Sequence, residues 1–407
     1  MNQVCECVAT EPTACLLTME ARNDIRQSLR RLDGWLERHD YKGYDPFEGL
    51  SSRLRPLTFG SKFLRQCLVQ FVRRCPVNPR PYLGIVPTRS TKGMGFLARG
   101  YLRWHAAAPN PVIAGKAAMC LEWLMANYSK GHSGYCWGNH FDYQTRHYYA
   151  PAGTPTLVWS SLTALTFVEA FERTGQRRYL EVARSTCEFI MRDLPRVTAR
   201  SGICLSYIPI AESMVHNANM LGAALLARVF QHTGEGELKE LARRALLFTA
   251  GDQNSDGSFY YGPLANTHWI DSWHTAYVID SFDDYARATG DQSFTPVCRK
   301  GWEFFRKNFF LADGTPKYYS DRVFPIDIQC ASQALETLCR FRAWDPTAID
   351  VASKVALWTI GQMQDADGHF YFQHRPHWVN KTPTFHWGQA TMLSGLATLL
   401  GTGDALL

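Results

Sequence analysis

Two kinds of helical pattern alternate along this chain. Residues 156–171 and 219–230 are apolar nearly all round and rich in small side chains, as expected of a helix buried on every side. Residues 294–309 are one-sided, with Phe294, Val297, Cys298, Gly301, Trp302 and Phe305 on one face; residues 236–250 repeat this with Leu238, Leu241, Ala242, Ala245 and Leu246. Both follow the i, i+3, i+4 rule for a helix with one wet face. A glycine-centred turn precedes each buried segment, at Gly134, Gly202, Gly257, Gly314 and Gly368, spaced 68, 55, 57 and 54 residues apart. Three buried segments end in Thr-Gly, at Gly175, Gly234 and Gly290, where glycine supplies a left-handed stop. A unit of about 55 residues used about six times accounts for most of the chain.

Six hairpins with a buried first helix and an amphipathic second helix close most simply into two concentric rings. The predicted fold is all-α, an (α/α)6 toroid with short β-turn elements in the loops at one face. A linear solenoid would need polar capping repeats at both ends, and residues 384–400 read instead as another buried helix. Its outer partner must then come from the N-terminus, where residues 25–36 or 61–75 fit. The predicted organisation is an N-terminal extension, 1–40, forming an outer helix, and a single toroid domain, 41–407. Closure also explains how 407 residues share one domain despite the usual size ceiling for a single core.

Composition sets the class. With 46% hydrophobic and 20% charged residues the chain is neither disordered nor fibrous. A net charge of +6, without a clustered basic stripe, gives no reason to expect a nucleic-acid partner. The 12 cysteines contain no CxxC and fall mostly in apolar helical stretches, where a free thiol acts as a small hydrophobe. The first residues lack a signal-peptide pattern, and no apolar window is long enough for a membrane span. A reduced, cytoplasmic, soluble protein is expected. The skewed number is the aromatic share, 13%, which fits a large core or a sugar-stacking cleft.

All inner helices of such a ring begin on one face, so function belongs at their N-terminal ends. The residues there are polar and aromatic: Trp137, His140, Asp142 and Arg146; His216, Asn217 and Asn219; Trp269, Asp271, His274 and Tyr277; Tyr319, Asp321, Arg322 and Asp327; and His386, Trp387 and Gln389. Aromatic faces stack on sugar C–H faces, and amides, carboxylates and arginines take hydroxyls. Six helix N-termini aimed at one cavity also favour an anionic ligand such as a uronate. Asp271 and Asp327 read equally well as N-caps, and the histidines and aromatics as structural cover.

Three motifs fall away on spacing. The stretch from Asp252 to Gly257 opens like a calcium loop, but Pro263 stands where a bidentate Glu is needed. Asp280, Asp283 and Asp284 have the wrong spacing for the acidic motif of class II terpene cyclases and sit at the far end of their helix. His374 and His377 have no third ligand in view. No metal and no cofactor is expected.

Tyr44-Asp45-Pro46, Gly49-Leu50-Ser51, Arg80-Pro81-Tyr82-Leu83-Gly84 and Lys92-Gly93-Met94-Gly95 are followed by Gly134-Tyr135-Cys136-Trp137-Gly138, Gly153-Thr154-Pro155-Thr156, His216-Asn217-Ala218-Asn219, Trp269-Ile270-Asp271-Ser272-Trp273-His274-Thr275, Pro316-Lys317-Tyr318-Tyr319 and Pro325-Ile326-Asp327-Ile328. Over residues 41–400 this set resembles the VpsJ-type proteins encoded among bacterial exopolysaccharide-biosynthesis genes, within the six-hairpin glycosidase-like superfamily. The resemblance implies an (α/α)6 fold and a saccharide-related role. It assigns no reaction.

Three activities remain open. Glycoside hydrolysis needs two carboxylates flanking a bond; Asp271 as general acid and Asp327 as its partner fit, with Asp142 in reserve and His274 and Arg322 positioning substrate. Uronate lyase or epimerase chemistry needs a base beside a neutralised carboxylate; His216 or Tyr319, with Asn217, Asn219 and Arg322, supplies the types. A non-catalytic saccharide-binding subunit would use the same cleft without turnover.

Overall fold

The computed structural model describes residues 17–145, 148–199 and 201–402. Its helices are α1 (Met19–Arg38), α2 (Lys62–Arg74), α3 (Thr91–Ala107), α4 (Pro111–Ala126), α5 (Leu157–Thr174), α6 (Arg177–Arg192), α7 (His216–Thr233), α8 (Gly236–Gly251), α9 (Ser272–Thr289), α10 (Thr295–Asn308), α11 (Ile328–Arg340), α12 (Ala348–Met363) and α13 (Thr391–Gly401). The odd-numbered helices from α3 to α13 touch in succession, and α13 returns to α3. That closed circuit is the inner ring of an (α/α)6 toroid, as the repeat predicts. Buried residues cover almost the whole of α5, α7 and α9, whereas α6, α8 and α10 bury one face each.

The recurring glycine has a physical role beyond the turn. A Cβ on Gly134 would lie 1.8 Å from the Ser185 carbonyl on α6, on Gly202 2.2 Å from that of Arg244 on α8, and on Gly257 2.4 Å from that of Lys300 on α10. Each turn therefore presses its glycine onto the outer helix of the following hairpin. The last one, Gly368, presses at 2.2 Å onto the Arg31 carbonyl of α1. The sixth outer helix is thus α1, which contains residues 25–36 and packs on α12 and α13. The other N-terminal segment, α2, does not join the ring and lies over the loops instead, burying Leu68, Val69 and Val72 in a small satellite core with Leu50 and Ile85. Gly175, Gly234 and Gly290 end α5, α7 and α9 in the left-handed conformation (φ 69°, 73° and 74°), as the Thr-Gly pairs predict.

Strands are confined to loops. Short antiparallel pairs join β1 (Tyr143–Gln144) to β2 (Tyr149–Ala150) and β3 (Arg196–Ala199) to β4 (Gly202–Leu205). A three-stranded patch orders β5 (Ile326–Asp327), β6 (Gln373–His374) and β7 (Val379–Asn380). One departure from the predicted pattern matters for the site: the apolar run 384–400 is not one regular helix. Residues 385–390 form a wide turn broken at Trp387 and Gly388 (φ 139°), and this kink carries His386 and Trp387 inward. No helix among the described residues is long and apolar enough to cross a membrane.

Candidate active site at the mouth of the ring

The inner helices begin together, and their caps fix the first turns. Ser90 caps α3, Thr156 caps α5, Asp271 caps α9 and Asp327 caps α11, each side chain accepting a hydrogen bond from a backbone N–H in the first turn. Lys92, Trp159, Asn217, His274 and Gln329 therefore stand in the first turns, with His386 in the kink before α13.

The chemically distinctive group is at the start of α9. Asp271 is buried and accepts three hydrogen bonds: the His274 backbone N–H at 3.0 Å, His274 Nδ1 at 2.7 Å and Trp269 Nε1 at 3.0 Å. Trp269 in turn stacks on Tyr261, with ring centroids 4.5 Å apart and planes at 14°. Holding Nδ1 as the donor directs the other ring nitrogen of His274 to be an acceptor. His274 is half-buried, and its Nε2 makes no hydrogen bond among the described residues. A narrow cleft with room for about one water molecule runs past His274, Asp271, Trp269, Tyr261, Asn217 and His216. The Asn217 side-chain oxygen is buried there without a partner. His216 is pinned between Thr249 (3.3 Å) and Asp252 (3.4 Å), and burial pushes it down to about 4, keeping it neutral.

Across the mouth, Trp387 packs edge-on to Phe47 at 5.1 Å and beside Trp273 at 5.4 Å. His386 lies next to it, its ring edge-on to Trp159 at 4.7 Å. Neither ring nitrogen of His386 has a hydrogen-bond partner, and burial, then the Lys92 ammonium, hold it well below the usual histidine range. Lys92 itself pairs with Asp45 at 2.5 Å, both fully enclosed. Half-buried tyrosines complete the lining: burial pushes the Tyr143 hydroxyl up to about 12 and those of Tyr148, Tyr207 and Tyr261 higher still.

The sequence-predicted residues divide. Asp271, His274, Trp269, His216 and Asn217 share the cleft, and Trp387 faces it across Trp273. Tyr319 pairs its backbone with Asp271 and carries Arg322 4.1 Å over its ring; Arg322 and Asp321 are exposed on the same turn. Asp327 is wholly buried, accepting from Gln329 N–H at 2.9 Å and Gln373 Nε2 at 2.6 Å, and burial raises it to about 6. Asp142 lies on the outer rim with Arg55; burial would raise it, but the Tyr149 hydroxyl, the Ala152 N–H and Arg55 together lower it below the usual range. His140 bonds Thr88 at 2.7 Å on that rim.

Four predicted residues are turned to structural work. Trp137 is fully buried, its Nε1 donating to the Leu124 carbonyl at 3.0 Å. Asn219 ties β4 to α7 and α8, accepting from Leu205 N–H and donating to the Ala245 carbonyl. Gln389 holds the Phe370 backbone from both sides. Tyr277 sits one turn deeper, its hydroxyl accepting from Gln329 Nε2 at 3.1 Å. Arg146 lies outside the described residues. The Asp45–Lys92 pair, Trp159 and the tyrosine lining were missed by the sequence reasoning; a lone lysine in the otherwise apolar first turns of α3 was the available signal.

This fold and mouth define an (α/α)6 toroid with an aromatic, histidine-bearing cleft. Its structure is similar to that of a glycoside hydrolase family 76 α-mannanase from Bacteroides thetaiotaomicron, at 13% identity over 77% of this chain and 86% of that one, with a TM-score of 0.57. It is similar also to a cellobiose 2-epimerase from Bacillus thermoamylovorans (9%, 76% and 87%, TM-score 0.59) and to a D-mannose isomerase (12%, 77% and 87%, TM-score 0.59). No family model and no curated protein matches the sequence.

Proposed function

We propose that this chain is a carbohydrate-processing enzyme that moves a proton on a reducing sugar, in the manner of an epimerase or isomerase. The observation that carries this is the Asp271–His274 pair: an imidazole fixed through Nδ1, with Nε2 unbonded in a cleft walled by Tyr261 and Trp269. An imidazole oriented through Nδ1 with Nε2 free is the geometry of a general base. In the open-chain sugar, Nε2 takes the proton from C2, the C2–H electron pair forms the C1–C2 double bond, and the carbonyl π pair moves onto O1, leaving an enediolate beside the His274 imidazolium. When the His274 imidazolium returns its proton to C1, and O1 takes a proton from water as O2 gives one up, the product is the ketose. When water protonates the opposite face of C2, O1 re-forms the carbonyl and the imidazolium gives its proton to the hydroxide left behind, the product is the epimer. The similarity to a cellobiose 2-epimerase and a D-mannose isomerase supports the same chemistry.

A second reading is glycoside hydrolysis. Its support is Asp327, raised to about 6 and hence able to hold a proton near neutrality, with Asp271 capping the preceding inner helix; the mannanase similarity agrees. Under either reading an acidic saccharide suits the mouth, where Arg73 lies over Phe47, Arg65 over Tyr149 and Arg322 over Tyr319. A place in exopolysaccharide metabolism follows from the motif resemblance. The described cysteines are all free thiols, in keeping with a cytoplasmic setting.

The test is proton exchange. In deuterated water, wild type should wash the C2 proton out of aldoses such as cellobiose, mannose or a uronate, read by NMR, and His274→Asn should abolish the exchange. If no aldose exchanges, while polysaccharide yields new reducing ends that disappear in Asp327→Asn, hydrolysis replaces this reading.

A further inference from the structure

Helix α2 is apolar on both faces. Leu68, Val69 and Val72 bury one side; at ~100° per residue, Phe63, Cys67 and Phe71 fall within ~80° of one another on the other, with Phe63 70% and Phe71 53% exposed. Just ahead, Phe59 is 84% exposed on a backbone of φ 47°, an uncommon conformation for an aromatic residue. Of 15 large exposed hydrophobics among the described residues, nine lie between positions 54 and 86. Scattered exposed side chains need no explanation, but such a concentration marks an interaction surface.

Charge selects the partner. No Asp or Glu occurs between Glu48 and Glu122. Arg53, Lys62 and Arg74 are exposed, and none makes an ion pair among the described residues. A second copy of this face would bring like charges together. The aromatics protrude instead of lining a groove, which suits a fluid surface that accepts wedges without shape complementarity. We infer that α2 and its approach form a docking surface for an anionic phospholipid membrane, lying in the interface with Phe59, Phe63 and Phe71 inserted and Lys62 and Arg74 at headgroup level. Because Gln66 bonds the Thr145 carbonyl and Arg73 covers Phe47, docking would turn the mouth side of the ring toward the bilayer.

The test is co-sedimentation of the full chain with vesicles of phosphatidylcholine alone or mixed with phosphatidylglycerol. Binding should require the anionic lipid and weaken with salt. Lys62→Gln with Arg74→Gln should weaken it about 25-fold, at about fivefold per cation. Phe63→Ser with Phe71→Ser should weaken it about 100-fold, with an unchanged melting temperature showing that the ring still folds. The inference is overturned by no binding to mixed vesicles at low salt, or by equal binding of the serine variant. It is equally overturned by a dimer that the serine variant abolishes, which makes the occupant a second copy, or by capture of polyglutamate without vesicles, which makes it an acidic polypeptide.

Discussion

The two ends of α9 carry the same side-chain chemistry and put it to opposite uses. At its C-terminal end Asp283 and Asp284 meet Arg340 at 3.0 and 2.8 Å, Arg228 joins Asp284 at 3.3 Å, and Arg287 reaches Asp283 at 2.7 Å. Asp280 accepts from Gln333 and Thr337. These groups clamp α7, α9 and α11 together, as Arg103 does for α3, α5 and α11 through Glu169 and Glu336. At the N-terminal end, Asp271 and His274 also pair, but the pair opens onto a cleft and leaves one imidazole nitrogen unbonded. A charge cluster closed in among helices, its carboxylates facing arginines, holds the ring together; a pair with an unbonded imidazole nitrogen facing a cleft can act on a substrate.

The contrast breaks most severely at Arg340. Arg340→Met should strand buried carboxylates and lower stability by about 3–5 kcal/mol in thermal or denaturant unfolding, while activity per folded molecule stays near wild type. An equal loss of activity at full occupancy of the folded state would erase the distinction between the two ends. A comparable effect, visible only with pH, belongs to His216. Its folded pKa of about 4 lies below the unfolded value, so the unfolded chain binds the extra proton between about 6.5 and 4 and stability falls as pH drops through that window. The contribution is about 3 kcal/mol, and His216→Gln should flatten that part of the stability–pH curve.

Asp271→Asn sharpens the other side. Asparagine is an adequate cap, so melting should shift little, while turnover should fall about 100-fold as Nδ1 loses its anionic partner. The smallest effect is expected from Trp269→Phe, which keeps the ring on Tyr261 and removes only the indole N–H donated to Asp271. A loss of about 1 kcal/mol in transition-state stabilisation, measured as kcat/KM, would fit.

The ring itself was legible because its signals are local and periodic: Thr-Gly stops, glycine turns about 55 residues apart, and one-sided helices between all-round apolar ones. The common mouth followed from topology alone. What each rim residue does there was not legible, because an inner helix touches neighbours on every side and the sequence does not say which neighbour a given position meets. Asn219 and Gln389 look like ligands in the chain, yet their amides bind backbone of β4 and of Phe370. The Lys92–Asp45 pair joins residues 47 apart, and the Trp273–Trp387 contact exists only because the kink before α13 carries Trp387 across the mouth to the start of α9. The kink at Gly388, which aims His386, interrupts a run that reads as unbroken helix.

The most direct measurement is a structure of wild type with a bound reducing sugar. The sugar should lie against Tyr261 and Trp269, with His274 Nε2 about 3 Å from C2 or its hydroxyl, within proton-transfer reach. A sugar bound away from α9, or held with Asp271 and Asp327 on either side of a glycosidic oxygen and His274 turned aside, would contradict it.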